Sequence, residues 1–159
     1  MGVIGDADVG THMLGGAFSL ESNGECINDI QWTNAAWSAF NTDGGYAGEG
    51  DYNQIIFGQL IIPGVPPFDQ PAPGSELGSL IGTFTVFLDP AIGDFSIGFN
   101  LVAGSPFSLE TIDIATGETF QSSSGNLSLG SASVIVIPSP GTIPVLGGLG
   151  LLAARRRRI

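Results

Sequence analysis

Apolar and polar residues alternate with a period of two through the middle of the chain. Phe95, Ile97, Phe99 and Leu101 are separated by Ser96, Gly98 and Asn100, the spacing that sends successive side chains to opposite faces of a strand. The pattern recurs at Leu14, Phe18 and Leu20, with Gly16 between, and at Leu80, Phe84, Val86 and Leu88, where Thr83 and Thr85 fall on the other face. Ile55 to Ile62 is apolar on both faces apart from Gly58 and Gln59. Periodicity alone does not separate a central strand from a buried helix there, but so short a span favours strand.

Turn-forming residues punctuate these runs. Asp89-Pro90 through Gly93-Asp94 and Thr116-Gly117 are expected to close hairpins, the second joining Ile112 and Ile114 to Phe120. Between Leu109 and Ile112 the apolar set changes parity, which predicts a β-bulge. Long loops are expected at Asn41 to Asn53, rich in Gly and acids, and at Pro63 to Gly78, whose five prolines favour an extended path. Only Thr33 to Phe40 suits a short helix. About seven or eight short strands, with no helical period and no internal repeat, predict an all-β fold: an antiparallel two-sheet β-sandwich of jelly-roll type. The sandwich is expected over residues 1–136, with a short hydrophobic helix at the C-terminus.

Length and composition agree with one domain. The 159 residues fall near the usual size of a single core, and Leu, Ile, Val and Phe supply about 30% of the chain, above the roughly 20% that marks disorder. Charge changes the picture more. Lys is absent and the four Arg are consecutive at Arg155 to Arg158, so residues 1–154 carry all fifteen carboxylates and no Lys or Arg. Such a body repels phosphate backbones, and no nucleic-acid partner is expected. The single Cys26 rules out an intramolecular disulfide. With the lone His12 it could form a nucleophilic pair, but a buried structural Cys is the favoured account.

The C-terminus has its own organisation. Ile143, Pro144, Val145, Leu146, Leu149, Leu151 and Leu152 dominate an uncharged segment, 143–154, that runs directly into Arg155, Arg156, Arg157 and Arg158. Twelve helical residues at about 1.5 Å each reach roughly 18 Å, short of a hydrocarbon core of about 30 Å. Arg side chains can snorkel toward the interface, and the positive-inside rule puts them on the cytoplasmic side. An ordinary tail anchor or a buried core helix would retain this segment.

Just ahead of it stands Pro138-Ser139-Pro140. The order of motif, apolar stretch and basic end over residues 137–159 resembles the PEP-CTERM family of sorting signals, with Ser139 where that family has Glu. The resemblance implies recognition at Pro138, Ser139 and Pro140 by an exosortase-like membrane enzyme, transient anchoring in the membrane, removal of the tail, and delivery to a bacterial cell envelope, surface or matrix. Met1 to Gly16 has neither the basic nor the apolar region of a secretory signal peptide. The chain is therefore expected to be truncated or to start upstream.

Two further clusters are candidates for binding. Asp43, Glu49 and Asp51 crowd a Gly-rich stretch and offer the oxygen ligands Ca²⁺ prefers, but their spacing fits no EF-hand and a solvated turn is the favoured account. Trp32, Trp37, Tyr46 and Tyr52 lie close in sequence and would stack on sugar rings if exposed, but packing in the core near Ile30 and Phe40 is the favoured account. His12 has no Gly-x-Ser-x-Gly partner and no phosphate-binding Gly loop with Lys exists, so neither catalysis nor a cofactor is expected. The sequence thus points to a noncatalytic exported surface or matrix protein among extracellular polysaccharides, with a carbohydrate-binding module as the alternative.

Overall fold

In a computed structural model of the protein, residues 1–24, 26–89, 95–124 and 130–137 are described. They form eleven strands: β1 (Gly2–Gly5), β2 (His12–Ser22), β3 (Ile27–Asn34), β4 (Thr42–Asp43), β5 (Tyr46–Gly48), β6 (Asp51–Gly58), β7 (Ser79–Leu88), β8 (Phe95–Ala103), β9 (Glu110–Ile112), β10 (Thr119–Gln121) and β11 (Ser131–Val136). One 3-10 turn, Ser122–Ser124, is the only helical element among them. All pairings are antiparallel, in a three-stranded sheet ordered β1-β7-β3 and an eight-stranded sheet built on β10-β9-β2-β6-β4. The β-sandwich expected from the sequence is therefore present. Its three-and-eight division differs from the equal sheets of a regular jelly roll.

Strand β2 organises the larger sheet. It pairs with β6 through Gly15 to Leu20, with β9 through His12 to Gly15, and with β8 through Phe18 to Ser22. Strand β11 then continues the sheet beyond β8, and β4 and β5 share the far edge of β6. Met13, Ala17, Phe18 and Leu20 are all buried, so β2 is covered on both faces along much of its length.

Aromatic rings fill the space between the sheets. Phe18 meets Trp32 and Phe57 edge to face with centroids 5.6 and 5.7 Å apart, and Phe84 lies 4.7 Å from Trp32 and 5.4 Å from Tyr52, within the range of favourable ring pairs. Gly82 makes room for this: a Cβ there would lie 2.1 Å from the Trp32 ring.

Bulges correct the simple alternation. Leu80 belongs to the apolar set by parity, yet it is 43% exposed while Ile81 is buried. Ile81 is the extra residue where the β1–β7 register slips, and the slip reverses which side chain faces inward. The break predicted between Leu109 and Ile112 falls at that pairing, but the extra residue is Leu14 on the partner strand, between Met13↔Thr111 and Gly15↔Glu110. Thr111 is then buried, its hydroxyl donating to the Val9 carbonyl at 3.0 Å.

Other expectations change with the topology. Asp89 leads from β7 in one sheet toward β8 in the other, so this connection crosses the sandwich and closes no hairpin; residues 90–94 lie outside the described set. Thr116-Gly117 does lie in a hairpin, between β9 and β10, with the Asp113 carboxylate accepting the N–H groups of Ala115 and Thr116. Thr33 to Phe40 is no helix: β3 continues to Asn34, and the Ala39 and Phe40 N–H groups both bond the Gly58 carbonyl. Asn41 to Asn53 is a meander of β4, β5 and the start of β6, where a long loop had been expected. The central strand runs over Asp51–Gly58, leaving Leu60 and Ile62 exposed on the following loop. That proline-rich loop is folded back by turns, with Gln59 bridging the Met13 carbonyl and the Ala72 N–H at 2.7 Å each. The C-terminal helix, segment 143–154, lies outside the described residues.

Truncating the ring at the centre of this packing, Phe18→Ala, is expected to destabilise the protein by about 3–5 kcal/mol in urea titrations. The exposed Phe107→Ala control should change stability by about 0.5 kcal/mol or less.

Candidate functional site

The aromatic residues singled out in the sequence belong to the core. Trp32, Trp37 and Tyr52 are 8, 6 and 4% exposed. Their polar atoms are engaged internally: the Trp32 indole N–H donates to Asn34 Oδ1 at 2.7 Å, and that of Trp37 to the Leu80 carbonyl at 2.9 Å. Tyr46 is half-buried, and its hydroxyl donates to the Ile27 carbonyl while accepting the Gly50 N–H. These four rings form no sugar-stacking row. Ring area is worth more packed between the sheets than exposed.

The acidic stretch is likewise structural. Asp43 Oδ1 accepts the Tyr52 hydroxyl at 2.6 Å and the Gly45 N–H at 2.9 Å, and Asp51 Oδ1 accepts the Ser22 N–H at 2.9 Å. Glu49 occupies an exposed turn with φ of 54°. The three carboxylates do not converge, and among the described residues no group of three His, Cys, Asp or Glu is placed to hold a metal ion. Burial, then the hydrogen bond and charge of Asp43, push the Tyr52 phenol up to about 12. Cys26 is half-buried and unbridged, while His12 shares a hydrogen bond with the neighbouring Thr11 hydroxyl.

The surface offers a different site. A shallow, open concavity of about 610 Å³ lies where β2, β8 and β11 run side by side. Register explains its lining. Ile97 and Phe99 are buried, so Gly98 between them and Asn100 just after Phe99 face outward, as do their partners Ser133, Ser131 and Glu21. Asn23, just past the end of β2, sits beside Gly98: its Oδ1 accepts the Gly98 N–H at 2.6 Å, and its own N–H donates to the Gly98 carbonyl at 3.3 Å. The side chains of Glu21, Asn100, Ser131 and Ser133 form no hydrogen bond among the described residues. This grouping joins three distant stretches of chain. In the sequence its trace is limited to the polar side of the β8 alternation and the unexplained Gly98.

On the opposite face of the same strands, the small sheet stops at β1. An apolar cleft of about 220 Å³ opens there between Val3, Leu20, Phe99 and Leu101. The sorting residues Pro138, Ser139 and Pro140, the apolar segment and Arg155 to Arg158 lie outside the described residues; no described helix is long and apolar enough to cross a membrane.

The buried phenol gives a pH test. A tyrosine whose folded pKa exceeds its unfolded value of about 10 contributes stability that is intact below pH 10 and is lost as pH rises toward 12. Asp43→Asn removes both the carboxylate acceptor and its charge. Spectroscopic titration should then show Tyr52 ionising at lower pH than in the parent protein, and urea midpoints should become less sensitive to pH between 10 and 12. No protein-family model, curated protein or solved structure matches this chain, and the candidate site therefore rests on its own geometry.

Proposed function

We propose that this is an exported, noncatalytic surface or matrix protein, carried to the cell envelope by its C-terminal segment and left there as an acidic β-sandwich. The observation that carries the reading is the arrangement of the tail: Pro138-Ser139-Pro140, an uncharged stretch from 143 to 154, and four consecutive Arg in a chain with no other Lys or Arg. A greasy segment stopped by fixed cations has a defined orientation in a bilayer, basic end inward and sandwich outward. An exosortase-like enzyme is the partner this order of features suits. A noncatalytic role is supported by the acids themselves, since Asp43, Asp51 and Asp113 are engaged with backbone N–H groups of turns and strand ends.

Processing is open to direct measurement. In the native host, mass spectrometry of envelope and extracellular fractions should find the protein without Arg155–Arg158, and Pro138→Ala should leave uncleaved protein in the membrane fraction. Intact chains carrying the terminal Arg cluster in the soluble cytosol would overturn the proposal.

A further inference from the structure

We infer that the groove across β2, β8 and β11 is a binding site for an uncharged glycan chain. The inference stands on different residues from the sorting reading and does not depend on it.

Gly98 is the first observation. Glycine weakens the interior of a strand, and its presence there marks a bulge, a bend or a close approach by another group. Gly98 lies in the regular β8–β11 ladder, opposite Ser133. A Cβ added to it would meet nothing nearer than Asn23 Oδ1 at 3.5 Å, an ordinary contact. The other described strand glycines are accounted for. Gly48 has φ of +94°, and at the rest a Cβ would come within 2.9 Å of a neighbouring atom. Neither packing nor backbone conformation asks for glycine at 98. What its missing side chain leaves is room in the groove floor beside the Asn23 carboxamide.

The second observation is the chemistry around that floor. Glu21 offers an acceptor, Asn100 an amide donor and acceptor, and Ser131 and Ser133 hydroxyls that do both, none of them hydrogen-bonded among the described residues. Such a mixture matches the vicinal hydroxyls of a sugar. Ile135, 71% exposed, continues the same face past Ser133 and supplies an apolar surface for the C–H side of a pyranose ring. Charge selects among glycans. Residues 1–154 have no Lys or Arg and Glu21 lies in the groove, so uronate, sulfate and phosphate polymers are repelled and a neutral chain is favoured.

Affinity electrophoresis of the full chain through gels containing dextran, hydroxyethyl cellulose, galactomannan or alginate tests this. Retardation is expected on at least one neutral polymer and not on alginate. Gly98→Val, which fills the floor with a strand-compatible side chain, should weaken that binding by about tenfold or more without lowering the thermal midpoint; Asn100→Ala, an exposed change, should weaken it about fivefold. If Gly98→Val fails to fold, Asn100→Ala together with Ser133→Ala decides. No retardation on any neutral gel, stronger retardation on alginate, or unchanged retardation in the folded variants would overturn the inference.

Discussion

The Phe18 side chain, carried by the strand that pairs with β6, β8 and β9, meets Trp32 and Phe84 of the opposite sheet as well as Phe57 of its own. Without a disulfide, and with Lys and Arg missing from the first 154 residues, the domain has few other ways to fasten one sheet to the other. Burial of these rings and of Ile30, Ile55 and Ile97 must supply the cohesion. Several features are consequences of making space for it: Gly82 beneath the Trp32 ring, the Ile81 bulge that turns an extra side chain inward, and the indole N–H groups satisfied at the rim.

A chain so short of cations also has to place its carboxylates differently. Asp6, Asp43, Asp51 and Asp113 each accept a backbone N–H, so the partial positive charge of the main chain takes the place of Lys and Arg. Turns are thereby fixed by the same residues that keep the surface anionic. Tyr52 shows the pattern at its most buried, its hydroxyl donating to Asp43 from the edge of the aromatic core.

Local alternation was enough to read β8 and most of β7 from sequence, because one-sided burial leaves a period-two trace; in β2, covered on both faces, the trace is only partial. It was not enough for register. The bulges at Leu14 and Ile81 reverse facing within one residue, and nothing local distinguishes them from continuous strand. Sheet membership was hidden too: the turn residues after Asp89 have hairpin chemistry, but β7 and β8 bury their apolar faces from opposite sides of the sandwich. Trp32, Trp37, Tyr46 and Tyr52 fit a core better than a binding row on sequence alone, and burial separates the two. The groove was out of reach for another reason, since Glu21, Asn100 and Ser131 become neighbours only through strand pairing across the chain.

Strand β11, the last strand described, has only β8 as a ladder partner among the described residues. Hydrogen bonds between antiparallel strands lie across the strand axis. A pull on the C-terminal side directed along that axis loads the whole Ser131–Val136 ladder in shear, so that many bonds must fail together. The same pull directed sideways peels the pairs away singly, starting at Val136↔Phe95. The attachment is thus mechanically anisotropic, stiff to tension along its length and yielding to a tug across it.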